Sequence, residues 1–211
     1  MKINFKILLV MILAIVGTAN HTTAQSVKKG NIIIDPYFGY PNFGRVLTTV
    51  ISDAINFETG SEITERLIGP AGLRAEYMIA DNFGLGFDFI YNSASLTGQV
   101  DSLNNDGTVN STYDITGFAR RFRFHVRANY HFVQDENFDA YVGFGAGTNN
   151  RTYGYITDFP NYDNESVGLA LFPASARIAL GARYYFAQNI GLNIELGLGG
   201  PLVSAGVSLK F

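Results

Sequence analysis

Two histidines are the side chains whose type and spacing first suggest chemistry. His125 and His131 lie six residues apart in a segment that alternates apolar and polar residues. A histidine beside a serine or a carboxylate could act as the base of a hydrolase. Two histidines without a cysteine or an obvious third ligand make a weak metal site. We therefore predict no catalytic, cofactor or metal site, and expect both histidines to form hydrogen bonds inside the fold.

Arginines alternate on the same side of that segment. Arg121, Arg123 and Arg127 could line a path for anions, or they could pair with carboxylates on neighbouring strands. The width of the space that they face decides between these two interpretations, so the elements that position them come next.

The beginning of the chain predicts a cleaved secretory signal, residues 1–24, followed by one domain, residues 25–211. Lys2 and Lys6 precede an apolar run of ten residues, Ile7 to Val16, and small residues end at Ala24. Ten apolar residues are fewer than the roughly 20 that a membrane-spanning helix needs. The chain has no cysteine, so we expect neither an amino-terminal lipid anchor nor disulfides.

The charge of the mature chain argues against nucleic acid as a partner. Removing Lys2 and Lys6 from the 15 basic residues leaves 13 against 18 acidic residues, a net charge of −5. Binding to phosphate backbones requires a basic face.

Alternation along the chain predicts a β-barrel that crosses a membrane. Transmembrane strands alternate lipid-facing apolar residues with lumen-facing residues in segments of about ten. None of the 41 positions that we assign to the outer face is charged, although 16% of the chain is charged and chance would give about seven. A lysine or arginine facing lipid at the membrane midplane costs about 2–4 kcal/mol. The eight segments are 32–40, 73–79, 83–91, 121–132, 138–146, 176–186, 190–198 and 203–211.

The opposite face of these segments carries many glycines and charges of both signs, which indicates a narrow lumen. An eight-stranded barrel is just wide enough inside for side chains, and enclosed charges must be paired. We therefore expect a salt-bridge plug rather than an anion path. The predicted lumen charge network comprises Arg74, Glu76, Asp88, Arg121, Arg123, Arg127, Asp139, Arg177, Arg183, Glu195 and Lys210.

Short and long connections alternate between the segments. Residues 80–82, 133–137 and 187–189 predict tight turns, whereas 41–71, 92–120 and 147–175 are long and polar. Short periplasmic turns and long extracellular loops are typical of outer-membrane barrels, so we expect both termini in the periplasm. Two details stand apart: Leu47–Phe57 has helical spacing, and Pro36 predicts a bulge or an irregular seam.

The eight strands and the terminal residues Val207–Phe211 resemble the small OmpA/OmpX-type outer-membrane barrels. The strand–turn–strand units Tyr77–Phe87, Tyr130–Tyr141 and Tyr184–Ile194 resemble the outer-membrane β-barrel domain common in Bacteroidetes. The resemblance implies a last strand, ending at Phe211, that the barrel-assembly machinery reads as a transient partner. It also implies contact with outer-membrane lipid and lipopolysaccharide.

The sequence thus predicts an all-β fold, an eight-stranded antiparallel transmembrane β-barrel in the outer membrane of a Gram-negative bacterium. We expect a monomer without enzymatic activity or cofactor, with a structural or surface-interaction role. Two alternative functions stay open: a narrow pore, and a lipid-modifying enzyme using His125 or His131. A soluble or lipocalin-like barrel is the alternative fold.

Overall fold

The computed structural model of the chain describes residues 25–42, 44–45, 48, 63–160, 162–168 and 173–211. The predicted signal, residues 1–24, lies outside this part of the chain. So does the helix predicted at Leu47–Phe57, of which Thr48 alone is described. Among the described residues, no helix has the length and apolar composition needed to cross a membrane.

The described residues form nine β-strands, and every pairing between them is antiparallel. Period-two sequences rich in β-branched and aromatic residues favour this conformation. The strands are β1 (Ile32–Tyr40), β2 (Thr64–Ala80), β3 (Phe83–Leu103), β4 (Val109–Gln134), β5 (Phe138–Thr157), β6 (Glu165–Gly168), β7 (Ala174–Ala187), β8 (Ile190–Leu198) and β9 (Val203–Lys210).

Eight of these strands close into a ring in which every pairing is antiparallel. The order runs from β1 through β5 to β7, β8 and β9, and β9 pairs with β1 to complete the ring. Closure leaves no free strand edge. The predicted eight-stranded antiparallel barrel is confirmed, and each of the eight predicted segments contributes to one ring strand. The sequence did not predict β6, which pairs with the outer part of β5 at Thr152–Tyr155.

Two of the predicted long loops are largely β-structure, and β2 already begins at Thr64 within the third, so the boundaries 41–71, 92–120 and 147–175 were wrong. β3 and β4 stay paired from Phe83↔Tyr130 to Leu103↔Val109. β4 and β5 continue to Ile115↔Thr157. The apolar alternation fades here because these hairpins extend beyond the barrel, where few side chains are buried, while backbone hydrogen bonding continues. We call this end of the barrel the long-loop end, and the opposite end the short-turn end.

The burial of the strands is opposite to that of a water-soluble protein. Leu180 and Leu192 on the outer face are 52% and 56% exposed, whereas Arg183 and Glu195 on the inner face are 1% and 0% exposed. Large aliphatic side chains covering the outside and charges sealed inside are the distribution that lipid favours and water penalises.

Pro36 lies at the seam between β1 and β9 without forming a bulge. Ile34 pairs with Leu209 and Tyr37 pairs with Gly206, so the register is unchanged across the proline. The β9 side of the ladder is interrupted at this point, as a residue without a backbone N–H requires. A Cβ atom on Gly206 would lie 2.0 Å from the carbonyl oxygen of Pro36, which explains the glycine opposite.

The segment before β1 lies across the short-turn end. Val27 is fully buried against Ile33, Met78 and Tyr185, three inward-facing residues of the barrel wall. Ser26 holds the segment in place: its N–H donates to Asp135 O (2.8 Å), its hydroxyl donates to Phe138 O (3.0 Å), and its carbonyl accepts from Lys210 Nζ (2.6 Å). The barrel interior is therefore covered on this side by its own chain.

Candidate functional site: the charged barrel lumen

Charged side chains fill the lumen because every second residue of each ring strand points inward. Ladder pairing then sets charges side by side, as for Arg74 and Asp88 on β2 and β3. These charges form two groups, which we name by position. The central cluster is Arg74, Asp88, Arg127, Arg177 and Glu195, and the short-turn cluster is Asp35, Glu76, His131, Asp139 and Arg183.

Glu195 is the hub of the central cluster. Its carboxylate accepts from Arg74 Nη1 (2.7 Å), Arg127 Nη2 (2.9 Å) and Arg177 Nη2 (2.7 Å). The hydroxyl of Tyr141 also donates to it, at 3.1 Å. Glu195 is fully buried, so this set of donors replaces the water that a carboxylate loses on burial.

Asp88 is the second carboxylate of the central cluster. It accepts from the Tyr37 hydroxyl (2.6 Å) and Arg127 Nη1 (3.3 Å), and Arg177 Nε lies 3.6 Å away. The ring of Tyr37 occupies the space left by Gly72, where a Cβ atom would lie 2.2 Å from the tyrosine Cζ. The absence of a side chain at Gly72 thus allows a buried tyrosine to reach the carboxylate.

The short-turn cluster is organised by Arg183. Its guanidinium donates to Asp35 Oδ2 (2.9 Å), Glu76 Oε2 (2.7 Å) and Asp139 Oδ2 (3.0 Å). Arg183 is 1% exposed. Three carboxylates around one arginine require further positive charge.

His131 supplies that charge within the short-turn cluster. Its Nδ1 lies 2.6 Å from Asp139 Oδ1, and its Nε2 lies 2.9 Å from Glu76 Oε1. Ionised carboxylates only accept hydrogen bonds, so the ring satisfies both when both nitrogens carry a proton. The two clusters then balance, with five positive charges on Arg74, Arg127, Arg177, Arg183 and His131 and five negative charges on Asp35, Glu76, Asp88, Asp139 and Glu195.

Of the eleven residues predicted for the lumen network, the structure brings eight into these ion pairs. The other three form no ion pair among the described residues. Arg121 Nε donates to Asn149 Oδ1 (2.7 Å), and Arg123 Nη1 donates to the Gly199 carbonyl (2.9 Å). Lys210 lies at the short-turn end, with its Nζ 4.5 Å from the centre of the Tyr185 ring.

The predicted set omits several side chains that complete the clusters. Asp35 accepts from Ser208 Oγ at 2.6 Å, and Arg74 Nη2 donates to Ser204 Oγ at 2.9 Å. His131 was expected only to form hydrogen bonds, and it also bridges two carboxylates. The period-two pattern already points these residues inward, so alternation was the signal that could have found them.

His125 was the other candidate for catalysis, and it lies above the central cluster. Its Nε2 is 2.9 Å from Ser175 Oγ. Its Nδ1 is buried and has no hydrogen-bond partner in the part of the chain that the structure describes. A hydrolase uses a third group at that nitrogen to orient the ring. Within the same described ranges, no three His, Cys, Asp or Glu side chains are grouped to hold a metal ion.

Several solved structures have a chain path similar to that of this protein. The N-terminal beta-barrel domain of Pseudomonas aeruginosa OprF is 15% identical, with 87% of this chain and 99% of that chain covered and a TM-score of 0.42. Pseudomonas aeruginosa OprG is 12% identical, with 89% and 99% covered and a TM-score of 0.43. Ail, the attachment invasion locus protein of Yersinia pestis, is 11% identical, with 87% and 99% covered and a TM-score of 0.39.

No curated protein sequence matches the chain significantly. The sequence model of one family, described as the outer membrane protein beta-barrel domain, matches residues 13–199. The closed antiparallel ring and the apolar outer face are consistent with this family match. The chain therefore belongs to the outer membrane protein beta-barrel domain family, a family of the Gram-negative outer membrane.

Proposed function

We propose that the protein is a closed, non-enzymatic monomeric barrel with a structural or surface-interaction role. The single observation that carries this proposal is the fully buried Glu195 bound by three arginines. Those three arginines come from β2, β4 and β7, so their side chains span the lumen.

The energetics of the lumen argue against ion flow. An eight-stranded barrel leaves an interior about as wide as its own side chains. Taking one partner from a buried ion pair costs about 3–5 kcal/mol, because the other charge stays buried alone. An ion crossing the lumen would have to separate several such pairs in both clusters.

The long-loop end supplies the surface for interaction. The β3–β4 hairpin extends to a tip at residues 104–108, well beyond the barrel. Phe159 packs against Tyr113 and Tyr162, with ring centroids 4.6 and 5.3 Å apart, so the outer connections support one another. Tyr162 still exposes 64% of its surface. An aromatic surface held by such packing and flanked by polar residues suits recognition, because a preformed surface loses less conformational freedom on binding than a mobile loop does.

The proposed orientation places the short-turn end in the periplasm. The start of β1 and the end of β9 meet there, because Ile32 and Phe211 exchange backbone hydrogen bonds of 2.9 and 2.8 Å. We propose that the strand ending at Phe211 is read by the barrel-assembly machinery, and that lipid and lipopolysaccharide surround the outer face.

Cysteine labelling tests this orientation. The chain lacks cysteine, so Asn105→Cys at the hairpin tip and Gln188→Cys in a short turn each introduce a single reactive thiol. A membrane-impermeant maleimide should label only Asn105→Cys on intact cells. Labelling of Gln188→Cys alone would mean that the barrel has the opposite orientation.

Single-channel recording tests the closed lumen. The refolded protein, shown by a heat-dependent gel shift to have a closed barrel, is inserted into a planar bilayer. We expect no stable unitary steps from the wild type or from Arg66→Ser, an exposed control. Arg177→Ser removes one of the three arginines around Glu195, so brief current fluctuations should occur more often in this variant. Stable steps from the wild type would overturn the plug and make a narrow pore the leading function.

The contact between His125 and Ser175 keeps a lipid-modifying enzyme as the second candidate. If the protein were such an enzyme, deleting its gene would alter lipid A. The wild type would then restore lipid A, while His125→Ala and Ser175→Ala would not. We expect identical lipid A mass spectra in all four strains, since His125 has no described partner at its second nitrogen.

A further inference from the structure

Three arginines at the long-loop end of the lumen lack the carboxylate partners that the deeper arginines have. We call Arg121, Arg123 and Arg151 the arginine throat. They extend the inward face of β4 and β5 beyond the central cluster, towards the hairpins. None of the carboxylates in the described ranges lies within ion-pair distance of them.

The pairing of β4 with β5 forces two of these charges together. Arg121 and Arg151 are direct partners across the ladder, and Arg123 is two residues further on the same face. Like charges directly opposite on neighbouring strands destabilise a sheet. The charge of Arg177, below the throat, also acts on Arg123. The fold thus concentrates positive charge at this level without any described counter-charge.

The polar contacts of the throat do not remove this charge. Arg121 and Arg123 donate to neutral oxygens, those of Asn149 and Gly199. The Nε atoms of Arg123 and Arg151 are buried and have no partner among the described atoms. Arg123 is only 7% exposed. A buried, charged donor without an acceptor is costly, so an acceptor that carries negative charge would bind here favourably.

The throat lies on the long-loop side of the paired charges of the central cluster. Arg121 and Arg151 are half-buried at the level where the barrel gives way to the hairpins. Below them lie the fully buried His125 and the paired charges of the central cluster. The paired charges below the throat would therefore stop a ligand that approached from the long-loop end.

We propose that the arginine throat binds a phosphate monoester. Guanidinium groups present planar pairs of N–H donors that match the oxygens of a phosphate, and three arginines oppose the two charges of a monoester. Two sources share this chemistry: a free phosphate or sugar phosphate, and the phosphate of a lipopolysaccharide saccharide beside the barrel mouth. The site does not depend on whether the lumen below it conducts.

Titration calorimetry of the refolded protein tests the site. The protein is held in a maltoside detergent, which contains no phosphate, at low ionic strength, because salt screens such contacts. Inorganic phosphate and glucose 1-phosphate are the probes. We expect saturable binding of one phosphate per barrel, weakened at least about tenfold in Arg123→Gln and Arg151→Gln. Arg120→Gln is the matched control, because Arg120 is adjacent in sequence but exposed, with its guanidinium 4.2 Å from the centre of the Phe118 ring.

Stability in phosphate-free buffer provides a second readout. Removing one of two opposed like charges should make Arg151→Gln at least as resistant to heat as the wild type, by gel shift. Added phosphate should raise the unfolding temperature of the wild type more than that of Arg151→Gln, because specific binding adds to the general stabilising effect that phosphate has on folded proteins. This pattern separates a lost ligand site from a damaged fold.

The remaining arms identify the source or overturn the proposal. Binding of soluble phosphate supports a free ligand. Binding only to vesicles with phosphorylated lipid A, and not with its dephosphorylated form, supports the lipid source if Arg151→Gln abolishes it. If neither soluble phosphate nor phosphorylated lipid A binds, or if Arg120→Gln loses as much affinity as the throat variants, the proposed site is wrong.

A further control concerns acidic residues of this chain. The segment between β1 and β2 contains Asp53, Glu58 and Glu62. Phosphate binding that appears only when these are changed to Asn, Gln and Gln would also overturn the proposed site, because the chain itself would then fill the throat.

Discussion

Arg183 Nη2 lies 2.9 Å from Asp35 Oδ2, although 148 residues separate them in the chain. Asp35 belongs to the first ring strand and Arg183 to the sixth, so the ion pair connects opposite parts of the barrel wall through the lumen. Both side chains are 1% exposed. The barrel is therefore held together across its interior as well as around its circumference.

Replacing Glu195 with glutamine should destabilise the barrel strongly. The neutral amide leaves three buried arginines with less opposing charge, and removing one partner of a buried pair costs about 3–5 kcal/mol. Urea unfolding followed by far-UV circular dichroism measures the loss, since the chain has no tryptophan for fluorescence. Glu165→Gln on the exposed strand β6 is the control and should change stability by less than about 0.5 kcal/mol. Equal stability of the two variants would refute the hub role of Glu195.

Placing an arginine on the outer face should be costly only within the lipid belt. Leu180 lies in the middle of β7 and pairs with Val142 and Leu196. We expect Leu180→Arg to lose about 2–4 kcal/mol, the cost of an arginine near the membrane midplane. The matched control is Val109→Arg, because Val109 is 55% exposed and Leu180 is 52% exposed, while Val109 lies at the hairpin tip. Unfolding from lipid vesicles compares the two, and similar tolerance would argue against a lipid-facing β7.

Adding one methyl group at Gly181 should disturb the central cluster. A Cβ atom there would lie 2.2 Å from Cζ of Tyr141, the residue whose hydroxyl donates to Glu195 and accepts from Arg74 at 3.1 Å. Overpacking of this kind costs about 1–3 kcal/mol. Gly117→Ala is the control, because nothing lies within 4 Å of that added atom. If both alanine variants melt together in the gel-shift assay, the close packing of Tyr141 on Gly181 is wrong.

The tip of the β3–β4 hairpin should respond to acid before the barrel does. Asp106 accepts from the Thr108 hydroxyl (2.6 Å) and N–H (3.0 Å), and these hydrogen bonds hold the pKa of its carboxyl below the usual 3.8. Because the pKa in the folded protein lies below the usual value, this local stabilisation is complete when the pH is above the usual pKa. It is lost as the pH falls through the lowered pKa. A carboxyl ¹³C titration by NMR should give that lower midpoint. Thr108→Val, which lacks the hydroxyl, should move it upward, and a wild-type midpoint at or above 3.8 would contradict the contact.

Much of the barrel wall follows from local sequence. Phe122, Phe124 and Val126 alternate with Arg123, His125 and Arg127, and a β-strand converts that alternation into two faces without help from distant residues. Strand number, antiparallel pairing and closure follow from eight such segments joined by turns. The same signal failed in 92–120, because strands that extend beyond the barrel bury few side chains and their pairing leaves no periodic pattern in the sequence.

The tertiary structure decided which charged side chains meet inside the lumen. Alternation points Asp35 and Arg183 inward, but the stagger of the closed ring determines which inward residues share a level. The same stagger brings Asp35 and Glu76 to Arg183, whereas the register of β4 with β5 sets Arg121 opposite Arg151, with no described carboxylate at that level. The sequence alone determined the barrel and its two faces, because a side chain's face depends on the adjacent backbone. Only the closed barrel decided which charges pair, because several pairs, such as Arg74 with Glu195 and Arg183 with Asp35, join residues more than a hundred positions apart.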